Sequence, residues 1–100
     1  MSQSGHDIRF EAEVIRFDGP GGWHGVFLPE EPAAEARFFG RTNALGAIGV
    51  HARIGATRVR TALFPDKSRN TFLLPLKADL RRRELITVGS RISVALTLDA

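Results

Sequence analysis

The stretch that decides the fold is residues 48–63, with the sequence IGVHARIGATRVRTAL. Apolar residues occupy alternate positions on both sides of Gly55 and Ala56, which is the period of a strand with one buried face. Two residues between two such runs are typical of a tight hairpin. We therefore predict two antiparallel strands with one face buried and the opposite face carrying arginine.

The same alternation continues from this hairpin towards both ends of the chain. The further positions predicted to be buried are Ile8, Phe10, Ala12, Val14, Ile92, Val94, Leu96 and Leu98. Shorter apolar runs at 23–28 and 72–74 complete a set of six strands. We expect the strand at 23–28 to be central and to return antiparallel to the first. The glycine-rich residues 18–22 precede a strand and not a helix, which favours a hairpin turn over a phosphate-binding loop.

Two short helices interrupt the strands. Residues 32–38 are rich in alanine and end before Gly40, which suits a helix end. In the second candidate, residues 77–85, Leu80 lies one turn after Leu76, so both would dock on the sheet. Strands at short spacings with so little helix predict a mainly β fold, a small closed or half-closed six-stranded barrel with one or two short helices.

Length and composition set the outer limits. One hundred residues, 43% of them apolar, fit one domain over 1–100, and we expect an ordered core at about 8–99 with residues 1–6 flexible. The absence of cysteine excludes disulfides and a cysteine nucleophile. The first residues lack a secretory signal and no apolar run reaches membrane length, so we expect a cytoplasmic protein without a membrane partner.

The second half of the chain carries an ordered set of short motifs. They are VRTALFP at 59–65, LPLKADLRR at 74–82 and GSRISVAL at 89–96, with Trp23 and VFLP at 26–29 upstream. This set resembles the bacterial domain-of-unknown-function family numbered nineteen-oh-five, over about residues 10–99. The resemblance implies a double-split, swapped-hairpin type of β-barrel, found alone or joined to a bacteriocin-protection domain, and it implies no catalytic residues. Ser90 stands where the family usually has aspartate and Asn70 where glycine is common, and both turn positions tolerate small polar residues.

The titratable side chains do not form a recognisable catalytic or metal-binding pattern. His6, His24 and His51 lack metal-ligand spacing, so we predict no metal site. Glu11 and Glu13 share the polar face of one strand, where solvated carboxylates do no chemistry. Because no nucleophile, base and orienting group can be assembled, we predict neither an enzyme nor a cofactor.

Positive charge is concentrated in the second half. Residues 1–50 carry four arginines against seven acids, whereas residues 51–100 carry ten lysines and arginines against four acids. Arg53, Arg58 and Arg60 share the outward face of the predicted hairpin. Such a ribbon could lie along a phosphate backbone or enter a major groove. The alternative is a solvated basic face that protects the sheet from edge-to-edge aggregation.

We therefore expect a non-enzymatic binding or interaction module of unknown ligand, as a monomer or a homodimer. Its partner would be a protein or a small molecule, and a small-molecule site would require an apolar cavity near Trp23. The alternative is a nucleic-acid-binding module that uses Arg53, Arg58 and Arg60.

Overall fold

The structure is a computed structural model that describes residues 5–17 and 23–99. Its elements, in chain order, are β1 (Gly5–Glu13), β2 (Ile15–Arg16), β3 (His24–Phe27), α1 (Glu30–Phe39), β4 (Ile48–Ile54), β5 (Thr57–Asp66), β6 (Thr71–Pro75), α2 (Ala78–Arg83) and β7 (Arg91–Asp99). The fold is mainly β with two short helices, as the alternation of apolar residues predicts.

The seven described strands form one antiparallel sheet, curled into a half-barrel, in the order β1-β7-β4-β5-β6-β3-β2. Only Val14 separates β1 from β2 along the chain, yet these two strands lie at opposite ends of the strand order. The backbone N–H of Val14 donates to the Ser90 carbonyl, and its carbonyl accepts from the Gly89 N–H, both at 2.8 Å. The first strand therefore bends at Val14 and contributes one edge strand to each end of the sheet.

This bend corrects two expectations. The predicted count of six strands is wrong because the first strand divides into β1 and β2. The strand at 23–28 does run antiparallel to the first strand, but only through the two residues of β2, whereas all nine residues of β1 pair with β7. β3 lies between β6 and β2, as expected of a strand with two neighbours. The turn predicted at 18–22 lies outside the described residues.

The inside of the half-barrel is filled by the alternating apolar positions. Each of the following is at most 8% exposed: Ile8, Phe10, Ala12, Val14, Ile48, Val50, Ala52, Ile54, Val94, Leu96 and Leu98. Ile92 packs against them and is half-buried. Full burial of a valine, leucine or isoleucine side chain contributes about 1.5–3 kcal/mol, so this set is a main source of stability.

The two helices lie at opposite ends of the half-barrel, because α1 follows β3, α2 follows β6, and these two strands are antiparallel. α1 begins two residues before the predicted range of 32–38 and contacts β1 and β6, with Ala33 and Ala36 buried. α2 contacts β5, with Leu80 buried. It is shorter than predicted, since Leu85 adopts a left-handed φ of 55° just beyond its end.

Candidate binding surfaces

The outer surface of the sheet has two distinct parts. On β1, β7, β4 and the first half of β5, the outward side chains are mostly charged, polar or small. On the second half of β5 and on β6 and β3, apolar side chains lie outward, and Phe64, Leu73 and Phe27 form one row across three strands. Each part contains one candidate binding surface.

The β4–β5 hairpin brings the three predicted arginines onto one outward face. Arg53 lies directly opposite Arg58 in the register, and His51 lies opposite Arg60. All three arginines are exposed. The hairpin is not a free ribbon, however, because β7 pairs with β4 on one side and α2 contacts β5 on the other.

The order of the strands brings a fourth arginine, Arg9, to this outward face, and the sequence did not predict its place there. Arg9 pairs with Ala95 of β7, Ala95 pairs with Arg53, and Arg53 pairs with Arg58, so one row crosses four strands. The small Ala95 lies in a recess of about 170 Å³ that is lined by all three arginines of the row. We call Arg9, Arg53 and Arg58 the arginine cluster. The outward position of Arg9 was visible in the alternation of β1, but the strand order that brings it to the hairpin was not.

Within the described part of the chain, no guanidinium group of the cluster makes a hydrogen bond or an ion pair. The neighbouring carboxylates have other partners: Asp7 accepts from the Thr97 hydroxyl at 2.9 Å, and Glu11 accepts from Arg91 at 3.2 Å. Like charges directly opposite each other destabilise a sheet. The cluster therefore opposes folding slightly, and a bound anion would relieve that repulsion.

The second surface is an open groove of about 510 Å³ between β3, β5 and the start of α2. Its walls include Trp23, Phe64 and Pro75. Trp23 is 54% exposed and Phe64 is 40% exposed, so two aromatic rings beside this groove are open to solvent. We call this surface the aromatic groove, and it lies where a small-molecule site near Trp23 was expected.

Three basic side chains, those of His24, Lys77 and Arg81, also line the aromatic groove. The Nε of Arg81 donates to the Leu76 carbonyl at 3.1 Å, which fixes the position of this guanidinium, while Lys77 is exposed. The Nδ1 of His24 is buried and has no hydrogen-bond partner among the described residues. The groove thus combines aromatic walls with two cations.

The structure does not bring the histidines together. His6 pairs with Glu35 at 3.2 Å beside α1, His24 lines the aromatic groove, and His51 lies near the arginine cluster. Over residues 5–17 and 23–99, no three histidine or carboxylate side chains are grouped as metal ligands would be. No helix within these ranges is long and apolar enough to cross a membrane.

Comparison with known proteins adds one match. A family model described as a domain of unknown function (DUF1905) matches residues 10–96, which is most of the chain. These residues include the hairpin and the aromatic groove. No curated protein matches the sequence.

Proposed function

The chain belongs to the DUF1905 family of domains of unknown function, and from this premise we propose that it is a non-enzymatic binding module whose ligand occupies the aromatic groove. The observation that carries the proposal is the exposure of Trp23 and Phe64 in one groove that also contains Lys77 and Arg81. Apolar clefts with a few placed polar groups are the usual form of a ligand site.

The chemistry of the groove defines the class of ligand. Exposed aromatic rings bind planar rings by stacking, in offset or edge-to-face geometry. Lys77 and Arg81 add two positive charges beside these rings, and a guanidinium group can donate two parallel hydrogen bonds to a carboxylate or phosphate. The ligand is therefore a planar ring system that carries a negatively charged group.

The lining of the groove supports binding over catalysis. Its described residues include His24 but no carboxylate that could orient the imidazole ring as a base. The Lys77 ammonium and the Arg81 guanidinium donate hydrogen bonds and have no acceptor atom. Among the described residues of the lining, a ligand meets rings and cations but no assembled catalytic group.

Trp23 is the only tryptophan of the chain, so its fluorescence reports directly on the groove. We expect adenosine monophosphate, a planar ring with a phosphate, to quench Trp23 saturably, and adenosine to bind more weakly. The double variant Lys77→Ala/Arg81→Ala should reduce the affinity for the phosphate form alone. Arg82→Ala/Arg83→Ala, on the same helix and outside the groove, is the matched control. If Trp23 fluorescence did not change with any planar ring compound that carries a carboxylate or a phosphate, the proposal would be contradicted.

A second candidate function, nucleic-acid binding, is supported by the arginine cluster. Three guanidinium groups that have no partner among the described residues surround a recess, and this arrangement suits phosphate contacts. Their row crosses four strands. At about 4.8 Å between neighbouring strands, the backbone alone spans about 14 Å, and the side chains extend further. A major groove is only about 12 Å wide, so this surface suits contact along a backbone and not entry into the groove.

The test of this second function is the salt dependence of affinity for an oligonucleotide. Counterion release makes the logarithm of affinity fall with the logarithm of salt concentration, by about 0.7–0.9 for each phosphate neutralised. The double variant Arg58→Ser/Arg60→Ser should flatten this slope, while Arg82→Ser/Arg83→Ser should leave it closer to that of the wild type. Absence of binding at low salt would exclude the function.

We also propose that the fold is a barrel of the double-split type, and that the protein is bacterial, cytoplasmic and either monomeric or homodimeric. The division of the first strand between both ends of the strand order supports the double-split type.

A further inference from the structure

We propose that the arginine cluster and the aromatic groove form one continuous site, and that its ligand is single-stranded nucleic acid. This inference rests on the proposed function and joins its two candidates. It names a ligand class for both surfaces.

β5 connects the two surfaces. Arg58, Arg60, Ala62 and Phe64 lie at alternate positions of β5 and therefore point to the same side of the sheet. Arg58 belongs to the arginine cluster, whereas Ala62 and Phe64 line the aromatic groove. Between them, Arg60 lines a small recess with Pro75 and Lys77, which also line the groove. Positively charged side chains thus line the whole path from the arginine cluster to the exposed aromatic rings.

The length of this path fits a short oligonucleotide. Phe64 lies six positions after Arg58, which corresponds to about 20 Å at the rise of a strand. At the duplex spacing of about 3.4 Å per nucleotide, 20 Å accommodates about six nucleotides of one strand, and a more extended single strand fewer. Single-strand sites on small barrels cover about 4–16 nucleotides.

The combination of groups distinguishes a single strand from other polyanions. Sequence-tolerant single-strand binding needs cations that follow the backbone and aromatic rings on which bases stack. A duplex keeps its bases stacked internally, so it would contact the arginine cluster and leave Trp23 and Phe64 uncovered. A peptide of acidic residues alone, such as polyglutamate, would likewise engage the cations but offer no ring. Of these three polyanions, the unpaired strand is the one that uses both parts of the path at once.

The experiment measures two signals on the same samples. A fluorescein-labelled oligothymidylate of about twelve nucleotides is titrated with the protein, with anisotropy reporting affinity and Trp23 emission reporting the groove. We expect quenching of Trp23 and a slope of log affinity against log salt of about −2 or steeper, from three or more phosphates at about 0.7 each. Polyglutamate and a duplex of the same length should leave Trp23 unquenched.

Variants separate the two parts of the site. Trp23→Ala and Phe64→Ala should each weaken binding about tenfold, measured by anisotropy, with the salt slope unchanged, because they remove stacking alone. Arg58→Ser should reduce the slope by about 0.7 and leave quenching at saturation intact. Arg82→Ser serves as the control for loss of one charge outside the path. Two aromatic variants that both bind like the wild type would overturn the inference.

The outcomes also separate this inference from the proposed function. Binding of adenosine monophosphate without binding of oligothymidylate would refute the inference and leave the groove as a small-molecule site. Equal affinity for duplex and single strand, without quenching, would refute it and leave backbone binding by the arginine cluster. No response to either probe would refute the proposed function itself.

Discussion

Replacing Arg58 by glutamate should make the protein more stable. Arg58 lies directly opposite Arg53, and side chains so placed have Cβ atoms about 4.5–5.5 Å apart. Two like charges about 7 Å apart in water repel by about 0.6 kcal/mol, and opposite charges attract by the same amount. The change of sign is therefore worth about 1.2 kcal/mol unscreened, and roughly 0.5 kcal/mol at physiological ionic strength, where the Debye length is about 8 Å.

The assay is urea unfolding followed by Trp23 fluorescence, at low salt and at about 1 M salt, where screening acts within about 3 Å. The free energy of unfolding should rise by about 0.5–1 kcal/mol at low salt and by almost nothing at high salt. Arg41→Glu is the control, because it makes the same change in net charge at an exposed loop position. Equal changes in stability for both variants, or a gain of Arg58→Glu that persists at high salt, would refute charge repulsion as the cause. A gain in stability joined to a loss of oligonucleotide binding would show that arginine is kept there for binding.

Three further predictions concern the fold. Leu74→Ala removes a fully buried side chain of β6 and should lower the free energy of unfolding by about 2–5 kcal/mol in urea titrations. Gly40→Ala should cost about 1–3 kcal/mol by the same assay, since its Cβ would approach two side-chain carbons of Ile48 to 2.9 Å. The Ser68 hydroxyl donates a hydrogen bond to the Asp66 carboxylate. This bond is the main reason why the pKa of Asp66 lies below its ordinary value of 3.8. A group with a lowered pKa stabilises the fold above its unfolded pKa, so Asp66→Asn should lower Tm at pH 7, and this difference should vanish as the pH falls below 3.8.

Features set by local geometry could be predicted from the sequence. The alternation correctly assigned the buried and outward faces of β4, β5 and β7, because the period of a strand depends only on neighbouring residues. Asn70, which was predicted to lie in a turn that tolerates a small polar residue, adopts a left-handed conformation with φ of 54°. The predicted family resemblance is confirmed by the match over residues 10–96.

Features that depend on strand pairing could not be predicted. Nothing at Val14 signals a break, since valine favours a continuous strand and no glycine or proline stands nearby. Arg9 was visible as an outward residue, but its place beside Arg53 requires β7 between β1 and β4. The walls of the aromatic groove come from distant segments of the chain, so Trp23 could be singled out while its placement in one groove with Lys77 and Arg81 could not.

The bend of the first strand makes one short segment responsible for both margins of the sheet. A chain without residues 5–16 would lose the nine-residue partner of β7 and the partner of β3 together. Two unpaired strands on one molecule are a template for joining other molecules end to end. We therefore expect a chain without this segment to polymerise, as measured by light scattering, and a synthetic peptide of residues 5–16 to suppress that.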